Sequence, residues 1–522
     1  MNTKIGAVLL RLTYDNEVVH WRHTYMHTKK NTILIKIFYI LFSIQMLLII
    51  VSAFSKPLFG LLPKPLIIGS IVAFILLGTL LMFWDYLYQK FQPSKRLSVL
   101  LFGGSLILFL IILTITTVIH GNHYDVAGDY EFFYRSAKEL ALGNELEGKL
   151  RNYYLVFGNN TRSMLILSTL FKSGYWLGMK EYIPALVRNF ALILGSILAG
   201  SYLLSLDSLK KYRILIVLTF VLCLPLYSFA PTFYTDSASF GLGVIAFSLF
   251  VKYLKTEGKH RFIFVVAAGF FTVLGITEKV TCIIPLIAGI IAILLIEKVS
   301  LRKLLTFVFT ICIFVALTNI WAGQYTIDAE SKEKSNPIVS WVALGMHGDG
   351  SFADNIEFSE TLASMDTREE KMAYTKQYMK DHIREALTLE HILKKINVSY
   401  GEGTFQGADF LTTSEQSHDW VWQLLHPWGQ YTWRGTQYCF IYIAVIYLSF
   451  FVGSIFTTID LFKGGTVSVV KFAADLSFMG LFLFLMLWES SNRQLFNQFP
   501  MMVVALFENL VVITTFFKKK KC

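Results

Sequence analysis

"LSVLLFGGSLILFLIILTITTVI", residues 97–119, carries no charged side chain. A helix rises about 1.5 Å per residue, so roughly 20 apolar residues cross the hydrocarbon core of a bilayer. Directly behind it the character changes. "GNHYDVAGDYEFFYRSAKELALGN", residues 121–144, brings Asp125, Asp129, Glu131, an aromatic cluster and the pattern of a short amphipathic helix. A mere connection between spans has no need of acids this close to a hydrophobic block.

Apolar blocks of similar length recur along the chain. They fall at 33–53, 66–85, 186–206, 212–230, 235–254, 261–277, 280–297, 302–322, 437–458, 469–488 and 499–517. With 97–119 they predict an all-α polytopic membrane protein with a bundle of about twelve transmembrane helices. Composition agrees, since 54% of the 522 residues are hydrophobic and only 16% are charged. Soluble domains carry about 25% charged residues. Segment 162–178 is apolar but short and interrupted, which suits an interfacial or re-entrant element. Residues 1–32 are polar and of mixed charge, so no cleavable signal peptide is expected.

The net charge of +11 does not point to nucleic acid. Placing the N-terminus inside puts Lys29, Lys90, Lys95, Arg96, Lys210, Lys211, Lys252, Lys255, Arg261, Arg302, Lys303, Lys463 and the final "KKKK" in inside loops. That is the bias of cytoplasmic loops toward lysine and arginine. Both termini are then cytoplasmic, and segments 120–185 and 323–436 are extracytoplasmic. The chain divides into an N-terminal membrane module (1–322), an outer segment (323–436) and C-terminal spans with a basic tail (437–522). The five cysteines show no disulfide or zinc spacing.

The outer side collects polar residues that look out of place: Asp125, Asp129, Asp236, Glu278, Lys279, Glu402, Glu489 and Arg493. Charges at a membrane boundary are costly and default to functional hypotheses. Each also has a plainer explanation. Asp129 and Asp236 fit helix N-caps, Lys279 a lysine snorkelling to head groups, and Glu489 and Arg493 a helical i,i+4 pair. His347 and His426 fit surface or packing positions better than ligand roles. A carboxylate near a hydroxyl can act as general base, and cations at this depth can hold a lipid phosphate. No Walker loop, dinucleotide fingerprint or Cys/His metal spacing occurs in the sequence.

These residues fall in stretches that resemble the GT-C glycosyltransferases of bacteria, multi-span enzymes related to the protein O-mannosyltransferases. "GDYEFFYRSAKELALGN" followed by "YYLVFGNNTRSMLILSTLF" is similar to their first outer loop, with Asn159 and Asn160 in the "VFGNN" stretch. "PTFYTDSASF" resembles their P-x-YTD turn. "TEKVT" resembles their K-P-T turn, with Val280 where proline is usual. "WVALGMHGDGSFADNIEF" and "YGEGTF" resemble later outer segments. "ESSNRQLFNQFP" resembles their terminal arginine motif with one arginine, Arg493, remaining. The matches run from about residue 118 to residue 505.

The resemblance implies transfer of a sugar from polyprenyl (undecaprenyl) phosphate, outside the bacterial cytoplasmic membrane, to a cell-envelope acceptor such as teichoic acid or wall polysaccharide. Asp129, or Asp125 in second place, would be the catalytic carboxylate of the first outer loop, the general base or its organiser. Lys279 and Arg493 would hold the donor phosphate. Asp236, Glu402, Glu489, Asn159 and Asn160 would position substrates. Some relatives use a divalent metal, Mg or Mn, and others none; no cluster in this sequence demands one. Two competing readings are a transporter or flippase of lipid-linked sugars and an envelope polysaccharide polymerase.

In the outer segment, "TREEKMAYTKQYMKDHIREALTLEHILKKI" reads as one charged amphipathic helix, at the membrane surface or packed on the rest of the segment. Trp420, Trp422, Trp428 and Trp433 fit an interfacial belt or a sugar-stacking groove.

Overall fold

The computed structural model describes residues 29–55, 63–120, 128–407, 411 and 419–519. All regular secondary structure among them is helical. Ten of the helices are long and apolar enough to cross a bilayer. They are Thr32–Ser55, Lys64–Phe91, Lys95–Ile119, Ile183–Leu206, Thr235–Lys255, Arg261–Glu278, Leu301–Ala322, Thr432–Phe462, Val469–Leu487 and Arg493–Lys518.

The two remaining expected spans are shorter helices, and proline stands at both. Block 212–230 splits into Arg213–Val221 and Leu226–Phe229, with Pro225 at the break. Proline lacks an N–H and disfavours helical backbone in the residue before it. Block 280–297 opens as a 3-10 turn, Val280–Ile283, and continues as Ile284–Ile296 with Pro285 in its first turn. The Thr235–Lys255 span is itself offset after one turn. Gly241 takes φ 69, and a Cβ there would sit 2.4 Å from the Cβ of Ser196. Only glycine permits both the left-handed backbone and the close approach.

Arg493–Lys519 packs on both Thr432–Phe462 and Val469–Leu487, and all three helices are largely buried. Leu301–Ala322, Lys64–Phe91 and Lys95–His120 lie at the perimeter and expose Val308, Phe309, Leu100 and Ile107. Lipid is the solvent that such faces require, since water would leave large apolar patches uncovered. Thr161–Trp176 is a 16-residue helix, short of spanning length, that packs on Asp129–Leu142.

Segment 323–436, expected on the outer side, is helical as well among its described residues. The single charged helix expected there is two helices. Thr367 and Glu370 form a capping box that starts Arg368–Ala386. Thr388 then accepts from the His391 N–H at 3.2 Å and starts Leu389–Tyr400. A second cap in the middle of a charged run ends one helix and re-aims the next. Arg368–Ala386 packs on an apolar cluster of Ala343, Leu344, Phe358 and Leu362. Leu389–Tyr400 is no surface helix, because it buries Lys395, Ile396 and Tyr400 against Lys29–Ser55 and Val469–Leu487.

Candidate functional site

Asp129 is the first residue of its helix, and the cap position falls to Gly128 at φ 76 with no side-chain cap bond. The carboxylate is therefore not consumed by capping, although the helix N-terminus still favours its charge. It accepts from the Tyr234 hydroxyl at 3.2 Å. Tyr234 is held edge-on by Tyr130 and Phe133, with ring centroids 4.7 and 4.9 Å away. Burial, and then the charge of Asp129, holds the Tyr234 phenol well above its usual range, so it stays a donor. Asn160 donates to Tyr153 Oη at 2.9 Å and Tyr234 Oη at 3.4 Å, and Asn159 donates to Asn160 Oδ1 at 3.1 Å.

Asp236 does not cap its helix either. It pairs with Lys279, which neither reaches for head groups nor stands alone. The second oxygen of Asp236, Oδ2, is buried without a protein partner. Arg493 donates to Tyr130 Oη at 3.1 Å and lies 6.0 Å from the Tyr234 ring centroid, while its Nε has no protein partner. Glu489 precedes the helix that Arg493 begins, so the two do not form the expected helical i,i+4 pair. Burial raises the Glu489 carboxyl above its ordinary range, with Arg493 and Lys279 opposing the shift. Glu278 pairs with Arg188 at 3.2 Å and accepts from Ser163.

Asp129, Asn159, Asn160, Asp236, Lys279, Glu489 and Arg493 line one cavity of about 710 Å³. Each sits at or beside a helix end. Glu402 is not among its lining residues; past the turn at Gly403 (φ 69), Gln406 lines the cavity instead and accepts from Ser491 at 2.8 Å. Asp125 lies outside the described residues. Of the four tryptophans, Trp422 is buried and stacks on His426 at 4.5 Å, and none lines the cavity.

An apolar groove of about 360 Å³ adjoins the cavity. Its walls come from Thr161–Trp176, Arg261–Glu278 and Leu301–Ala322, and it shares Val273, Thr277 and Thr318 with the polar cavity. A polar chamber and an apolar slot thus meet at three residues, among the spans.

The chain belongs to a family of conserved hypothetical integral membrane proteins. The family model matches residues 24–512, which include every cavity-lining side chain named above. No curated protein and no solved structure matches the chain.

Arg162 at the cavity and Lys395 beside it carried no clear signal in the sequence. Arg162 lines the cavity and donates to Asp328 Oδ1 at 3.1 Å and Asn319 Oδ1 at 2.7 Å. Its place two residues after Asn160 was the one available hint. Lys395 lies in the charged outer run yet is only 1% exposed. Its ammonium donates to the carbonyls of Gly345 at 2.6 Å and Trp488 at 2.7 Å. Burial pushes it down to about 8. With the Ser490 N–H on Gly350 O at 2.7 Å, it fastens the glycine-rich loop 345–352 to the segment that carries Glu489.

Proposed function

We propose that the protein is a membrane glycosyltransferase that moves a sugar from a polyprenyl phosphate to a hydroxyl of an extracytoplasmic envelope polymer. The observation that carries this reading is the junction of the polar cavity with the apolar groove. A prenyl chain suits the groove. Its phosphate suits the cations at the cavity, Lys279 and Arg493, because arginine offers a phosphate two parallel donors. The sugar then occupies the polar volume beside Asp129, Asn159 and Asn160.

In this reading Asp129 takes the proton of the acceptor hydroxyl as its oxygen attacks the anomeric carbon. The bond from that carbon to the phosphate oxygen breaks, and polyprenyl phosphate leaves as an anion held by Lys279 and Arg493. Tyr234 orients Asp129, Asp236 holds Lys279, and Glu489 stands ready to position a substrate hydroxyl. The lysines and arginines support the sidedness. On four helices, 235–255, 261–278, 469–487 and 493–519, the cavity lies at one end, and Lys252 and Lys255, Arg261, Lys463 and Lys518 lie at or beside the other. The bias of basic residues toward the cytoplasm then turns the cavity outward.

The test is a transfer assay with the purified chain, a panel of undecaprenyl-phosphate-linked hexoses and an envelope acceptor fraction. Asp129→Asn is expected to lower transfer about 10²–10⁴-fold, the usual worth of a general base, with the thermal midpoint unchanged. Full activity in Asp129→Asn would remove that residue from the chemistry. If no donor is consumed, carriage of a lipid-linked sugar is the better account of the same groove and cations.

A further inference from the structure

Three side chains of metal-ligating type meet in the outer segment, apart from the cavity lining: His347, His382 and Glu385. One ligand atom from each lies within 4.8 Å of the other two. His382 and Glu385 are three residues apart on Arg368–Ala386, so they share a helix face. His347 comes from the turn that opens the glycine-rich loop, and its ring centroid is 4.5 Å from that of His382. Its Nδ1 lies 2.8 Å from Glu385 Oε2.

The surroundings already orient these groups. His382 Nδ1 is 2.9 Å from the Tyr378 carbonyl oxygen. A carbonyl only accepts, so Nδ1 carries the proton and Nε2 keeps its lone pair. The ring also stacks on Tyr378 at 4.1 Å. Glu385 Oε1 accepts from the Gly348 N–H at 2.9 Å, which leaves Oε2 toward His347. Gly348 holds φ 63, and a Cβ there would fall 2.6 Å from Asp354 Oδ2, so the loop depends on glycine at this point. Metal-binding histidines and carboxylates are commonly steered by such outer hydrogen bonds.

We propose that His347, His382 and Glu385 bind a transition-metal ion of the zinc class, with water completing its coordination. Two imidazoles and one carboxylate suit zinc, whereas magnesium and calcium take oxygen ligands. At metal–ligand distances near 2.0–2.1 Å the ligand atoms stand about 3.3 Å apart. The partly exposed side chains reach that spacing by rotation, and the ion takes the place of the proton between His347 and Glu385. Bound metal ties His347 to the helix Arg368–Ala386. Ser351, Phe352 and Ala353, a few residues further along the same loop, line the cavity. The site stands whether or not the transferase reading holds.

The experiment uses the full chain in detergent, stripped with a chelator, and titrated with Zn²⁺ against a chromophoric chelator. One Zn²⁺ per chain is expected, with excess Mg²⁺ failing to displace it and Co²⁺ giving a visible absorption band. Glu385→Gln and His382→Ala should each weaken binding by at least about tenfold. Glu390→Gln, at the exposed partner of Lys394, should bind as wild type does. Metal-free thermal midpoints equal to that of the metal-free wild type show that the variants fold; if His382→Ala does not, the near-isosteric Glu385→Gln decides. Absence of stoichiometric binding in wild type, or undiminished binding in the variants, overturns the site.

Discussion

Two groups of buried charge, one near each end of the Val469–Leu487 helix, are satisfied differently. Near its start, Lys471 and Asp475 are buried and closed on one another. Lys471 Nζ donates to Asp475 Oδ2 at 2.7 Å and Asn509 Oδ1 at 2.6 Å. Asn509 Nδ2 donates to Asp475 Oδ1 at 2.9 Å, and Tyr39 Oη to Asp475 Oδ2 at 3.1 Å. Past its other end, roughly 20–25 Å along the helix axis, Asp236 Oδ2, Arg493 Nε and Ser490 Oγ are buried without protein partners. These three residues line the cavity. A buried charge costs several kcal/mol unless its hydrogen-bonding capacity is filled. The first set is filled by the protein and ties three helices together. The second leaves capacity that water or a ligand fills. Charge of the first kind holds a membrane protein together, and charge of the second kind is left open to water or ligand.

The sharpest way to break this contrast is to remove one member of the closed set. Asp475→Leu leaves the Lys471 ammonium unpaired and is expected to cost about 3–5 kcal/mol of stability, read by denaturation in detergent. Adding Lys471→Met should recover most of the loss. An equal loss from Ser490→Ala at the cavity, where the hydroxyl has no protein partner, would erase the distinction between the two groups.

Lys395 tests a third situation, a buried cation with carbonyl partners only. Its folded value near 8 lies below the ordinary 10.5. Between these two values the unfolded chain holds the proton that the folded chain has released. Stability therefore rises with pH across that window, and the penalty is fully present below pH 8. The shift corresponds to about 3 kcal/mol. The thermal midpoint of wild type should climb relative to that of Lys395→Met from pH 8 to 10.5; parallel curves would refute the depressed value.

The smallest effect is expected at Tyr234→Phe. It removes one donor to Asp129 and should cost about 1 kcal/mol of stability or less. On the proposed transferase reading, its larger consequence should be a lower transfer rate, because Asp129 loses the group that orients it. A stability loss matching that of Asp475→Leu would mean that the cavity wall is structural.

Much of the architecture was legible before any coordinates. Hydropathy is a local property, so runs such as 97–119 and 469–488 announce helices by themselves. The same local patterns brought Asp129, Asp236, Lys279, Glu489 and Arg493 to notice, because charge beside an apolar run is conspicuous. The plainer explanations of Asp129 and of the Glu489 and Arg493 pair failed for local reasons that the sequence did not display. Gly128 took the cap at Asp129, and the chain between Glu489 and Arg493 is not helical. Glu402 was conspicuous too, yet Gln406 lines the cavity in its stead. The charged outer run hid Lys395, His382 and Glu385, because a lysine or histidine among charges looks solvated.

By itself the sequence determined that the chain is helical, that it lies in a membrane, and which stretches carry the polar residues at the helix ends. Only the tertiary structure decided the partners: Lys279 for Asp236, 43 residues away, and Asp475 for Tyr39, 436 residues away. The physical reason is range. Helix formation and bilayer insertion are set by neighbours within a turn or a span, whereas pairing a charge depends on which spans meet. That depends on side-chain shape at contacts such as Gly241 against Ser196, a complementarity between distant segments that no local pattern encodes.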